Sequence, residues 1–454
     1  MVSLQDSQIH ADSGGSSFSQ TRSCYYFTPP PPSSAKVHRS IGRSMRTIRS
    51  NFYRSGCSAS EESGSVSENL TDSVVDMRLR ELACEPAVKR SSCLEEECLE
   101  ISQAFSDFSA CSSDISGELQ RLATADPVAS PSPSPSTSAQ PEPEPEPCLG
   151  FLQRETFSTE IIENISPEDL LPTVNLCVEG LKSSSVAVKR SAAAKLRLLA
   201  KNRADNRALI GESGAIPALV PLLRCSDPWT QEHAVTGLLN LSLHEPNKAV
   251  ITSSGAIKSL IYALKTGTET SKQNAACALL SLALVDENKL SIGASGAIPP
   301  LVSLLINGSN RGKKDSLTTL YKLCSVKQNK ERAVMAGAVK PLVELVGVNG
   351  SGLAEKAMVV LNSLAGTEMG GEAIVGEGGI TALLEAIEDG SDKGKEFAVL
   401  ALLQLCGDSV RNRGLLVREG GIPPLVALSQ NGTAKAKHKS EILLGYLREP
   451  RQEA

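Results

Sequence analysis

The chain has 454 residues, a net charge of −5, twelve cysteines and a single tryptophan, Trp229. Its length exceeds the roughly 250 to 300 residues at which one hydrophobic core stops growing, so either several domains or an elongated core is expected. Mild acidity argues against a nucleic-acid partner, no run of 18 apolar residues spans a membrane, and scattered cysteines without a C-x-x-C fit reduced packing residues rather than a metal site.

The first dozen residues hold Asp6 and Asp12 and no apolar run, unlike a secretory signal. An intracellular place, cytoplasm or nucleus, is therefore expected. Residues 1–125 read as mostly disordered, because a Ser-rich composition buries too little apolar surface to offset ordering. Three islands interrupt it. In the first, 37–53, Val37, Ile41, Met45, Ile48 and Phe52 recur at helical spacing among Lys36, Arg39, Arg43, Arg46, Arg49 and Arg54. Such a basic amphipathic segment can lie on an anionic membrane surface or enter a calmodulin-like groove, or serve as a nuclear import signal. A solvated basic tail, kept unfolded by Gly42 and the serines, stands beside these readings.

The second island, 70–82, is a shorter candidate helix. In the third, 94–122, Leu94, Ile101, Phe108, Ile115 and Leu122 fall every seven residues, with Cys98, Phe105, Ser112 and Leu119 between them. That is a heptad pattern. Ser116 and Gly117 weaken a coiled coil, so docking on the rest of the chain or a transient helix stand beside it. Residues 126–150 form a linker of three Ser-Pro steps and alternating Pro-Glu, a stiff extended spacer. Phosphorylation of the Ser-Pro steps would add negative charge there.

From about residue 155 to 454 the chain repeats. Gly214, Gly255, Gly296, Gly337, Gly378 and Gly420 lie 41, 41, 41, 41 and 42 residues apart. Leu219, Leu260, Leu301, Leu342, Leu383 and Leu425 follow each by five, and Asn206, Asn247, Asn288, Asn329 and Asn412 precede all but one by eight. A period near forty predicts a helical solenoid, whose usual product is a long binding surface. Within a unit, the Asn is expected to cap a short first helix and the Gly to end it in a left-handed conformation. A second helix follows, with Pro217, Pro299 or Pro423 in its first turn, and then a longer third helix. That helix carries a small residue (Ala193, Ala234, Ala275, Ser316, Ala357, Ala398, Ser440) and a late leucine (Leu241, Leu282, Leu323, Leu364, Leu405, Leu447). Ser166-Pro167-Glu168-Asp169 reads as a capped start for a partial first unit.

Three helices per unit, the G-A-I-P-x-L-V entry and the 41-residue period resemble the armadillo repeat. The fold expected from that resemblance is all-α, a right-handed armadillo-type α-solenoid of about seven repeats. More narrowly, Gln231-Glu232-His233-Ala234-Val235-Thr236-Gly237-Leu238-Leu239-Asn240-Leu241-Ser242-Leu243 with Asn247-Lys248 resembles the armadillo region of plant U-box proteins. Those relatives carry a ubiquitin-conjugating-enzyme-binding U-box ahead of the repeats. Asp126-Pro127-Val128 echoes one fragment of it, but no Cys-Pro-Ile start precedes, so the resemblance implies no ligase activity of the chain's own.

In armadillo folds the third helices line a concave groove. Alignment of the units puts on its ridge His233, Asn274, Asp315 and Lys356, then Thr236, Cys277 and Thr318, then Asn240, Ser281, Lys322 and Ser363. Import receptors of the class use repeated Trp and Asn to grip an extended peptide. Here Asn240 alone matches the Asn, and Thr236 stands where its Trp would be. The central groove is small and polar, suited to an extended peptide held by amide and hydroxyl contacts.

Chemistry finds little footing. Gly308 to Lys314 lacks the spacing and hydroxyl of a P-loop, no histidines stand in H-E-x-x-H spacing and no G-x-S-x-G occurs. The expectation is a noncatalytic, monomeric protein-interaction scaffold without cofactor or metal. The alternative is an accessory to ubiquitin ligation, holding substrate for a separate U-box or RING protein.

Overall fold

The computed structural model describes residues 166–348 and 352–448, together with the single position Pro145. The expected helices at 37–53, 70–82 and 94–122, and the linker apart from Pro145, lie outside the described residues. Among the described residues there are twenty α-helices, one 3-10 turn and no strand.

Unit one contributes α1 (Pro167–Leu181) and α2 (Val186–Leu199). As expected, Ser166 caps α1, its hydroxyl accepting from the Asp169 amide, with Pro167 at the first helical position. Unit two holds α3 (Ala204–Glu212), α4 (Ala215–Leu219) running into a 3-10 turn (Val220–Arg224), and α5 (Pro228–Ser242). Unit three holds α6 (Glu245–Ser253), α7 (Ala256–Thr266) and α8 (Glu269–Leu282). Unit four holds α9 (Asp286–Ala294), α10 (Ile298–Asn307) and α11 (Asn310–Leu323). Unit five holds α12 (Lys327–Met335), α13 (Val339–Val346) and α14 (Leu353–Ala365). Unit six holds α15 (Glu368–Gly376), α16 (Gly379–Asp389) and α17 (Asp392–Cys406), and unit seven α18 (Val410–Arg418), α19 (Ile422–Asn431) and α20 (Ala434–Arg448).

Every repeat glycine does what its spacing predicts. Gly214, Gly255, Gly296, Gly337, Gly378 and Gly420 all have φ between 75° and 87°. A Cβ at any of them would meet nothing within 4 Å. Backbone conformation, not space, therefore demands glycine there. The six second-helix leucines and the seven small third-helix residues are all fully buried. Each third helix packs against the next through the series α2, α5, α8, α11, α14, α17 and α20, and against the second helix of its own unit. The small residues let these helices approach, and the leucines fill the space between them.

The repeat asparagine has a different job from the one its position suggested. Asn247 lies inside α6, whose N-cap is His244. Its Nδ2 donates to Leu241 O at the end of α5 (3.1 Å) and to Arg207 O in α3 of the preceding unit (2.8 Å). Asn329 repeats this pattern with Leu323 O and Lys289 O, each at 2.9 Å. It caps the preceding third helix and staples two units together, because the last carbonyls of a helix have no partner within it. The third helices have hydroxyl or carboxylate caps of their own, at Asp227, Thr268, Ser309 and Ser391. Helix α14 starts instead at left-handed Gly352 with no side-chain cap.

Candidate partner-binding face

The ridge residues sit on the third helices of units two to five. Helix α5 is buried at twelve of its fifteen positions, His233, Thr236 and Asn240 included. A helix apolar or small on almost every face buries almost every face. Asn240 is 1% exposed, and its Nδ2 donates to Arg197 O in α2 (3.1 Å). Its Oδ1 is buried without a hydrogen-bond partner, as is Oδ1 of Asn362 on α14.

A polar relay runs across three units. Thr236 Oγ1 donates to Glu232 O (2.8 Å) and accepts from Asn274 Nδ2 (2.8 Å). Asn274 Oδ1 accepts from Arg311 Nη2 (3.1 Å), and Arg311 Nε lies 3.6 Å from Asp315 Oδ2. Asp315 in turn accepts a hydrogen bond from Cys277. Burial, and then the Asp315 charge, push the Cys277 thiol well above its ordinary range, with Arg311 only partly opposing. It is a protonated donor in the relay and not a nucleophile. At the amino-terminal end, Arg197 Nη1 stands 3.0 Å from His233 Nδ1. A guanidinium can only donate, so Nδ1 accepts and the imidazole proton sits on Nε2.

The remaining ridge residues bond to their own scaffold. Ser281 Oγ donates to Ser242 O (3.0 Å), Ser363 Oγ to Cys324 O (3.3 Å) and Thr318 Oγ1 to Lys314 O (2.9 Å). Lys356 is buried on α14, whereas Asp315, Thr318, Lys322 and Ser363 are half-exposed. Burial lowers the pKa of Lys322, and repulsion from Lys289 lowers it further against the pull of Asp286. The structure thus joins Thr236, Asn274, Cys277 and Asp315, and leaves Asn240, Ser281 and Ser363 each anchored separately.

Two members of this face escaped the sequence reading. Arg311 stands four residues before Asp315 on one helix, a pairing that charge spacing could have flagged. Arg197 had no such signal, because its partners are 36 and 43 residues away.

Among the described residues, no group of three His, Cys, Asp or Glu side chains could hold a metal. The five cysteines among them form no disulfide. Burial pushes the thiols of Cys324 and Cys406 up to about 12, as expected of packing residues.

Comparison with known proteins agrees with the repeat architecture. E3 ubiquitin-protein ligase SPL11 of Oryza sativa subsp. japonica is 57% identical over 72 residues, 16% of this chain and 10% of that protein. U-box domain-containing protein 4 of Arabidopsis thaliana is 58% identical over 72 residues, 16% of this chain and 9% of its own. These matches therefore span about a tenth of the relatives' length. An engineered protein of known crystal structure shares the fold with a TM-score of 0.57 at 24% identity, over 64% of this chain and 71% of its own. The family model for the plant U-box protein ARM repeat region matches residues 173–452, and the chain belongs to that family.

Proposed function

We propose that this chain is a noncatalytic scaffold that binds an extended peptide of a partner protein along the third-helix face of units two to five. Asn240 carries the reading. It stands at the amino-terminal end of that face, on α5, with its amide nitrogen donating to Arg197 O and a buried oxygen lacking any donor. An orphaned buried acceptor costs roughly 1–3 kcal/mol, so a peptide N–H brought there gains more than at a solvated site. The relay around Asn274 and Arg311 holds the neighbouring polar groups in fixed rotamers, which lowers the ordering cost of binding.

The test uses half-exposed positions, because Arg at Asn240 or Ser281, 1% and 6% exposed, would break packing. The full chain and a Thr318→Arg, Ser363→Arg, Lys322→Glu variant serve as bait in plant extract. Each captured protein is then titrated against both chains. A partner whose affinity falls at least tenfold on the variant supports the groove. Unchanged affinity for every captured protein overturns it.

A second reading is that the chain holds substrate for a separate U-box or RING ligase in the cytoplasm or nucleus. The names of the relatives, a ubiquitin ligase and U-box proteins, favour it. Reconstitution separates the two. Self-ubiquitination by the purified chain alone would overturn the noncatalytic assignment, and ligase subunits among the groove-dependent partners would favour the accessory role.

A further inference from the structure

The residue after the repeat asparagine is basic in units two to five and in unit seven. Every one of these cations but Lys330 is tied down. Arg207 and Arg413 donate to carbonyls at the ends of the third helices before them. Lys248 pairs with Glu245, and Lys289 with Asp286, each three residues back on its own helix. In α12 the place of that acid is taken by Lys327. Lys330 is therefore half-buried beside a second cation, and among the described residues it makes no hydrogen bond or ion pair. Space opens at the same point. The position that follows the third helix is Leu243, Leu284 and Ser325 in units two to four, but Gly366 in unit five. A Cβ at Gly366 would stand 3.5 Å from Lys330 Nζ. The cleft of about 500 Å³ between α12 and α15 lies here, lined among others by Lys327, Lys330, Glu331, Gly366, Glu368 and Met369. That volume falls within the roughly 300–1,000 Å³ of ligand pockets.

We propose that this cleft binds the carboxylate side chain of an Asp or Glu in a partner protein, with a basic residue next to it in the partner's chain. A half-buried ammonium without a counter-ion is stabilised by an anion that shares its site, and Lys327 adds a second positive charge. The start of α12 reinforces both. Its N-cap, Val326, supplies no side-chain cap, and its first turn holds no acid, so its first amides point unpaired at the positive end of the helix dipole. Glu331 and Glu368 set the kind of anion. They balance the two lysines in number, yet no ion pair joins any of the four among the described residues. A doubly charged phosphoryl group would be repelled by both carboxylates. A single carboxylate at the lysines, followed by a cation at the glutamates, meets opposite charge at each end. Met369, 42% exposed, offers apolar ground for the side-chain stems. The cleft lies between first helices and does not depend on any partner binding along the third-helix face.

The experiment labels the full chain with carbon-13 at its six methionine methyl groups and titrates it with N-acetyl-Asp-Arg-amide, following the Met369 signal by NMR. That signal should move, and the titration midpoint should rise at least tenfold in Lys330→Gln and in Gly366→Leu. The second variant keeps both lysines and fills the cleft with the residue that units two and three carry there. Its new Cβ meets Lys330 Nζ at an ordinary contact distance, so the repeat remains folded. The uncharged N-acetyl-Asn-Gln-amide should leave the Met369 signal in place. A signal that does not respond to the charged dipeptide, or equal midpoints in the unaltered chain and both variants, would overturn the proposal. Inorganic phosphate acting at a lower concentration than the dipeptide would overturn it too, assigning the cleft to a phosphoryl group. Failure of partner capture along the third-helix face would alter none of these readouts.

Discussion

Units two and three are joined differently from units five and six, and one side chain accounts for the difference. Between two and three, Asn247 reaches Arg207 O because Gly211 of α3 leaves room: a Cβ there would stand 2.0 Å from Asn247 Oδ1. Between four and five the same fit recurs, with Gly293 opposite Asn329 at 1.9 Å. Where the position opposite carries a larger side chain, the reach is lost. Asn288 faces Thr252 and contacts its hydroxyl at 3.4 Å in place of a carbonyl. Asn412, opposite Val375, has its amide on Leu405 O. Between five and six the aligned positions hold Val334 and Gly370, and Gly370 has no side chain to offer. There the backbone of α15 lies close to the end of α14, so that a Cβ at Gly370 would lie 2.0 Å from Leu364 O. A cleft of about 500 Å³ opens beside it between α12 and α15, lined among others by Lys327, Lys330, Glu368 and Met369. The Asn and the Gly facing it act as one device, and a solenoid whose stability is a sum of neighbour terms is weakest where that device is missing.

The largest expected effect comes from removing a complete staple. Asn329→Ala or Asn247→Ala strips a donor from two backbone carbonyls, one of them buried at the end of a third helix, and should cost about 2–3 kcal/mol. Asn412→Ala should cost about 1 kcal/mol, because its amide serves a single carbonyl. Urea unfolding checks the totals. Hydrogen exchange locates the loss, which should appear in α9 and α12 for Asn329 and in α3 and α6 for Asn247. Equal costs at all three positions would break the comparison. Next comes the partner of the staple. Gly293→Val forces a methyl-bearing side chain onto Asn329 Oδ1 and should cost about 1–3 kcal/mol by overpacking. Combining it with Asn329→Ala should cost less than the two separately, as expected for residues in contact.

Smaller again is the turn glycine. Gly255→Ala places a Cβ in open space but in a left-handed conformation, so about 1–2 kcal/mol of backbone strain is expected. Gly214→Ala and Gly420→Ala should match it closely, because the same single cause acts at each.

These effects divide by how legible their causes are. The turn glycines, the buried leucines and the small residues could be read directly, because each depends on backbone or core within its own unit and recurs at the period. The asparagine could be located but not interpreted. Its partners are the end of one helix and a carbonyl 40 residues away, and nothing in a single unit points to the second. The ridge shows the same limit. Alignment put Asn240, Ser281 and Thr236 on it, and their hydrogen bonds to neighbouring units follow from how closely the third helices approach. Recognition of Arg311 needed charge spacing, and recognition of Arg197 needed the fold.

The smallest effect tests the joints at the other end of the third helices. Glu269 accepts from the Ser309 amide of the next unit (3.0 Å) and from Gln273 Nε2 (2.9 Å). Burial pushes its carboxyl up, but the Ser309 amide, Gln273, the Ser309 hydroxyl and Lys272 outweigh that and leave its pKa below the usual value. A carboxylate whose folded pKa is depressed adds stability that is present above its unfolded pKa, near 4.3, and is lost as pH falls through the lower folded value. Glu269→Gln should therefore leave stability near neutral pH slightly reduced and flatten its decline in acid. Because Glu269 is exposed, salt should shrink the difference. The joint between units four and five lacks a Glu269 counterpart, since α14 begins at Gly352 without a side-chain cap. The α14 amides should then show no acid-dependent exchange step of this kind, whereas those at the start of α11 should show one that Glu269→Gln removes. A step of equal size in both helices would mean that the pH dependence comes from the solenoid's charge at large and not from this joint.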